Sequence, residues 1–284
     1  MESASQAPRF ESLRARGARL VVDAGWSGAA DARALLLPGE LARRLADASG
    51  ARGRAVTALL HARDGSCALL RPVRHGGLLA PLWGERLLGL GRPLRELRVA
   101  AELHARGAPV TRPLLVVGAR RGLFWQAALA TAYAEGARDG VALLASEPAR
   151  PRLVRALEAA ARAVRRFHDA GGRHPDLHLG NLLFREGERA CEALVIDLDG
   201  ARAGEPPAAA RRMRELMRLY RSVAKRGFAA RVGARGCARF LSAYCAGDRA
   251  LRRALLAALP RERLRLARHV VSWRIAAALP PPAR

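Results

Sequence analysis

Lysine is nearly absent from this chain: Lys225 is the only one in 284 residues, so almost all of the positive charge is arginine. Acids are scarce too, with 25 Asp and Glu against 50 basic residues and a formal net charge of +25. An excess of that size calls for an anionic partner, whether nucleic acid, nucleotide phosphate or an acidic membrane surface, and does not choose among them. The crowding of arginine, alanine and glycine also fits a GC-rich genome. Aromatic residues make up 5% of the chain and show no regular interleaving with arginine, which argues against a base-stacking surface, so no nucleic-acid partner is expected. The four cysteines, Cys67, Cys191, Cys237 and Cys245, form no C-x-x-C pair and stand in or beside apolar segments, as reduced thiols of a cytoplasmic protein would. No run approaches the ~18 consecutive apolar residues of a membrane span, and "MESASQAPRFESLRARG" lacks the apolar core of a signal peptide. A soluble or peripheral protein is expected.

Half of the residues are hydrophobic, ample for a proper core. From Val56 to Arg71, "VTALLHARDGSCALLR" places two apolar runs around the turn signal Asp64-Gly65, so an antiparallel sheet is expected to start here. A Gly-rich segment follows, then "LRELRVAAELHARG", whose apolar spacing predicts a helix closed by Gly107. "APVTRPLLVVGARRGLFWQAALA" supplies two more strands. Beyond a hinge expected near Thr131 to Gly136 the character changes. Pro151 opens a helix with Leu153, Leu157, Ala160, Ala161, Val164 and Phe167 near one face, and Gly171-Gly172 ends it. From Ala208 onward the chain predicts helices, broken near Gly227, Gly233 to Gly236 and Gly247. The expected division is a β-rich unit over 1–132 and an α-rich unit over 133–284. Residues before about Leu41 and after about Gly247 carry no functional assignment.

"HPDLHLGNLLFREGERACEALVIDLDG", from His174 to Gly200, gathers three aspartates and an asparagine in a chain short of acids. Asp176 and Asn181 are five residues apart, and Pro175 and Gly180 exclude a regular helix, so both can point inward from a loop. Asp197 follows the strand-like "ALVI". An amide oxygen and a carboxylate are donors that Mg²⁺ accepts beside nucleotide phosphates, and D-x-x-x-x-N, strand, D matches the phosphoryl-transfer template. On that template Asp176 takes the acceptor's proton, while Asn181 and Asp197 hold the metal. Two other readings stay open. One is a zinc site from His168, His174, His178 and Asp176, whose spacing is not a standard ligand pattern. The other is a hairpin with polar ends. His174 is expected beneath the loop, bonded to backbone, with His168 in similar work at the helix end.

"FHDAGGRHPDLHLGNLLF" and "VIDLDGAR" resemble the active-site segments of the bacterial lipopolysaccharide kinases, most closely those acting on 3-deoxy-D-manno-octulosonic acid (Kdo). "LLRPVRHGGLL", "RPLRELRVAAELHARGAPVTRPL" and "MRLYRSVAKRG" extend the resemblance over about Gly50 to Gly247. It implies an α+β, protein-kinase-like two-lobed fold, with an N-terminal antiparallel β-sheet lobe carrying one main helix and a larger α-helical C-terminal lobe. It also implies ATP and Mg²⁺ as cofactors, Arg71 in place of the phosphate-binding lysine, and Glu96 as its partner. Gly53 would let backbone approach phosphate, although "SGARGRA" departs from the usual glycine pattern and a simple turn fits as well. Arg71 and Glu96 as unrelated surface charges remain the plain alternative.

The implied acceptor is a sugar hydroxyl of Kdo-lipid A or a related lipopolysaccharide precursor, reached from the cytoplasmic face of the inner membrane by a protein peripheral on that anionic surface. Arg92, Arg95, Arg98 and Arg202 are candidate acceptor contacts. A heptose kinase is the nearest alternative, and a basic nucleic-acid-binding module or a pseudokinase scaffold the alternatives of another class. The basic helix predicted over 209–226 either packs in the second unit, the preferred reading, or lies on anionic lipid.

Overall fold

A computed structural model of the chain describes residues 8–46, 57–74, 84, 86–187 and 190–278. Two compact units form, one from Met1–Glu135 with Asp197–Ala203 and one from Gly136–Ile196 with Gly204–Arg284. The short segment that begins at Asp197 thus returns to the first unit from far along the chain.

The first unit is built on a six-stranded antiparallel sheet, ordered β1 (Phe10–Ala15), β2 (Ala18–Asp23), β5 (Pro113–Arg121), β6 (Phe124–Ala132), β4 (Cys67–Pro72) and β3 (Ala58–His61). The sheet expected to start at Val56 therefore starts at Phe10. β1 is an edge strand with only Phe10 and Leu13 partly covered, so it lacks the alternation that marks a half-buried strand. In the centre, neighbouring side chains go to opposite faces. Leu115 and Val117 of β5 join Leu20, Leu41 and Leu70 on one side, while Val116 joins Leu97, Val73 and Leu129 on the other. The first face is covered by helix α1 (Glu40–Ala46) and the turns before it; the second is covered by α2 (Gly91–Ala105). Two covered faces explain why β5 is apolar without a break from Pro113 to Gly118, before it runs out into Arg120 and Arg121.

In the second unit, α4 (Arg150–Asp169) buries Leu153, Ala156, Ala160, Val164 and Phe167, a 3.6-residue pattern whose alanines let neighbours approach closely. It packs against α6 (Ala229–Cys245) and β9 (Cys191–Val195). β9 belongs to a three-stranded sheet ordered β7 (Arg138–Asp139), β8 (Leu182–Glu186), β9; α3 (Gly140–Ala145) follows β7 directly. α5 (Ala209–Lys225) packs on α7 (Arg249–Ala278), and Gly233 breaks α6 with a left-handed φ of 62°. The basic helix is thus a core helix, burying Met213, Leu216, Leu219 and Val223.

α4 ends where Gly171 takes φ 84° and Gly172 closes onto Phe167. A Cβ on Gly172 would lie 2.6 Å from the Phe167 ring and 2.7 Å from its carbonyl oxygen, closer than packed atoms sit. Gly172→Ala should therefore destabilise the protein by roughly 1–3 kcal/mol, read as a lower urea midpoint at unchanged slope. An unchanged midpoint would mean that the end of α4 yields without cost.

Candidate active site

The loop after α4 is fastened from below. The Glu215 carboxylate, buried on α5, accepts the His174 backbone N–H at 2.9 Å and faces His168 Nε2 at 3.2 Å through the same oxygen. A carboxylate accepts, so His168 Nε2 carries the proton and its Nδ1 accepts from the Tyr244 hydroxyl, 2.7 Å away. Burial holds His168 well below the ordinary histidine value and pushes the Tyr244 phenol up to about 12, which keeps one neutral and the other a donor. Two further bonds set the loop's shape. His174 Nε2 lies 3.2 Å from the Ile196 carbonyl, and its Nδ1 accepts the Asp176 N–H at 3.3 Å. Seven residues after Glu215, Ser222 accepts the Leu179 N–H at 2.8 Å and donates its hydroxyl hydrogen bond to the Leu219 carbonyl.

What this loop presents is a carboxylate in water and an amide in the interior. The Asp176 side chain is 67% exposed, with Arg218 at 3.5 Å and His178 at 3.8 Å. Asn181 is buried, and its side-chain nitrogen donates to the Asp176 carbonyl at 3.0 Å, which leaves the amide oxygen as its remaining acceptor. The Asn181 carbonyl in turn accepts from the N–H of Ile196, the residue before Asp197. His168 and His174 are committed to Tyr244, Glu215 and backbone, and among the described residues no three potential ligands cluster as a zinc site needs.

In the first unit, Arg71 on β4 bonds to Glu96 on α2 and lies 3.2 Å from Asp197. The two that the plain alternative left as unrelated surface charges are therefore brought together, with Glu96 buried. Burial pushes the Glu96 carboxyl up; Arg71 opposes this, and Asp197 and then Asp199 reinforce it. Asp197 adopts a left-handed φ of 57°, a conformation rare outside glycine and concentrated where a side chain is aimed for function. Its carboxylate is 46% exposed, open to a cation. The sequence offered no sign of one further pair: Arg92, at the start of α2, makes a forked contact with Asp199, whose carboxyl it holds below the usual range. Arg92, a candidate acceptor contact, is thus engaged internally, whereas Arg95, Arg98 and Arg202 are exposed. Gly53 lies outside the described residues.

The sequence profile of the lipopolysaccharide kinase (Kdo/WaaP) family matches residues 46–244, more than half of the chain. This chain belongs to that family. Among curated lipopolysaccharide kinases it is 36% identical over 164 residues to the 3-deoxy-D-manno-octulosonic acid kinase of Xanthomonas oryzae pv. oryzae (strain PXO99A), and 33% identical over 162 residues to that of Xylella fastidiosa (strain 9a5c). Each match covers 56% of this chain and 62% of the relative, so the aligned region spans under two thirds of those proteins. A solved structure, WaaP in complex with acyl carrier protein, superposes with a TM-score of 0.54 at 22% identity over 88% of this chain and 98% of that one. The fold is therefore α+β and kinase-like, as the sequence resemblance implied.

The buried His168 gives a test. Its neutral form is favoured in the folded state, while the unfolded chain takes up a proton near the ordinary value of 6.5. Its contribution is complete above that pH and shrinks as pH falls below it. Thermal melts between pH 8 and 5 should show the wild type losing stability below about pH 6.5. His168→Gln, which cannot titrate there, should melt lower at pH 8 but with a shallower acid slope. A slope equal to that of the wild type would remove His168 from this role.

Proposed function

We propose that this chain is an ATP-dependent kinase that phosphorylates a sugar hydroxyl of the Kdo residue of Kdo-lipid A or a related lipopolysaccharide precursor. The observation that carries the reading is the fastening of one loop, which exposes the Asp176 carboxylate while turning the Asn181 nitrogen inward onto the Asp176 carbonyl. Asp176 accepts the proton of the acceptor hydroxyl as that oxygen bonds to the terminal phosphorus of ATP; the bond to the bridging oxygen breaks and ADP leaves. Asn181, through its amide oxygen, and Asp197 would hold Mg²⁺, which neutralises phosphate charge when bound. Arg71, oriented by Glu96, meets the nucleotide phosphates as a permanently charged fork. Gly53 is assigned to phosphate approach. Residues 1–132 serve the nucleotide and 133–284 carry the base and the acceptor.

Among the described residues no helix is long and apolar enough to cross a membrane. With the basic balance, this supports a peripheral position on the cytoplasmic face of the inner membrane. Two relatives named as Kdo kinases favour the Kdo acceptor over a heptose. Mass spectrometry of Kdo-lipid A after incubation with Mg·ATP should show the gain of one phosphate. Asp176→Ala should lose about 10²–10⁴-fold in rate while still binding Mg·ATP. Asp197→Ala should bind Mg·ATP more weakly as well. Normal turnover in either variant sinks the assignment, and transfer to heptosylated core alone moves the acceptor to heptose.

A second reading concerns a protein partner. The second unit holds a cavity of about 620 Å³, lined by Leu143, Leu153, Phe184, Met213, Met217 and Phe240 among others. A cavity of this size and character suits an apolar ligand, and the fold neighbour was solved with acyl carrier protein. We take an acyl chain delivered by such a carrier as its occupant. Calorimetry with acyl-loaded and unloaded carrier should show binding of the loaded form only, weakened by Met217→Trp. Equal binding of both forms would exclude the cavity from the interaction.

A further inference from the structure

Arginines crowd beside Asp176 with too few acids to neutralise them. Arg218 lies between the two loop fasteners on α5 and reaches the Asp176 carboxylate at 3.5 Å. One turn on, Arg221 makes no ion pair with a carboxylate among the described residues; burial and the charge of Arg218 weigh against its own charge, Glu262 partly offsets them, and Arg265 adds to them. α7 brings Glu262, buried, whose Oε1 is shared by Arg265 at 2.5 Å and Arg214 at 3.7 Å. Each of these arginines spends one edge of its fork on that single oxygen and keeps its side chain 45–46% exposed. Along α5 and α7, Arg214, Arg218, Arg221 and Arg265 thus share two carboxylates, Glu262 and Asp176, with Arg218 as the link to Asp176.

Like charges packed together cost free energy unless an anion offsets them, and arginine offers planar, paired donors suited to phosphate and carboxylate. We propose that Arg221 and Arg265, with Arg218 at the inner end, form a binding site for the phosphate or carboxylate groups of the acceptor. Glu262 pre-orients Arg265 and Arg214 from below. The inference rests on the kinase reading and deepens it, because it moves acceptor recognition from Arg92, which Asp199 occupies, to the α5–α7 face.

The test is equilibrium binding, without nucleotide, of Kdo-lipid A in non-ionic detergent micelles to wild type, Arg221→Gln, Arg265→Gln and Arg221→Lys, each checked for an unchanged melting transition. Both Gln variants should bind roughly tenfold more weakly, with the Lys variant between, and wild type should bind dephosphorylated lipid less well by a similar factor. In turnover the acceptor KM should rise by that factor while the KM for ATP does not. Undiminished affinity in both Gln variants, or no binding by the wild type, overturns the site. So does an equal loss on plain phosphatidylglycerol micelles, which would mark a general lipid-facing surface. If the wild type binds in the expected pattern yet transfers no phosphate, the kinase reading fails and the anion site stands. If it phosphorylates the lipid while the variants keep full affinity, the reverse holds.

Discussion

One buried carboxylate holds the loop that carries Asp176 and Asn181. Glu215 accepts from the His174 backbone and from His168, so a single side chain ties the loop to the end of α4 and to α5. A buried acid without donors is costly, and these two bonds offset that cost only in this geometry. The consequence runs outward. His174, fixed by its backbone, can lie against the Ile196 carbonyl and the Asp176 N–H, and Asn181 can then bond to the Asp176 carbonyl. The exposed carboxylate of Asp176 owes its direction to this chain of buried contacts, which is the ordinary way a site on a loop gains rigidity.

The scarcity of acids governs the rest of the electrostatics. With 25 acids for 50 basic residues, the buried Asp23 and Glu96 find guanidinium partners in Arg112 and Arg71, and the half-buried Glu186 meets Arg138 and Arg152. The arginines left over are what distinguish one surface from another. Around Asp197 and Asp199 three acids face two arginines, an arrangement that welcomes a cation. Along α5 and α7 the balance is reversed, which favours an anion. Opposite local signs in a uniformly basic protein follow from where a few acids were placed.

Local signals were legible and distant pairings were not. Asp64-Gly65 marked the turn between β3 and β4, Pro151 the start of α4, and the D-x-x-x-x-N spacing the loop, because each is decided by residues adjacent in sequence. His174, expected beneath the loop and bonded to backbone, is buried with its ring between the Ile196 carbonyl and the Asp176 N–H. The β1–β2 hairpin escaped because an edge strand with one thinly covered face carries no alternation. Glu215 on His174, Arg92 on Asp199 and Asp23 on Arg112 span 41, 107 and 89 residues, and nothing local in the sequence says which arginine a given acid will meet.

α5 shows how one helix can carry two readings until its polar residues are placed. By charge it is a basic amphipathic helix of the kind that settles on anionic lipid, and by apolar spacing it is a core helix. Glu215 and Ser222 decide between them. Seven residues apart, they lie on nearly the same side of the helix, and both face the loop, where they accept the N–H groups of His174 and Leu179. Were α5 to leave for a membrane surface, both donors would lose their acceptors, at about 1–3 kcal/mol each if they stayed buried, and the loop bearing Asp176 would lose its footing. The helix therefore stays in the core, and any anion it meets must come to its outer face.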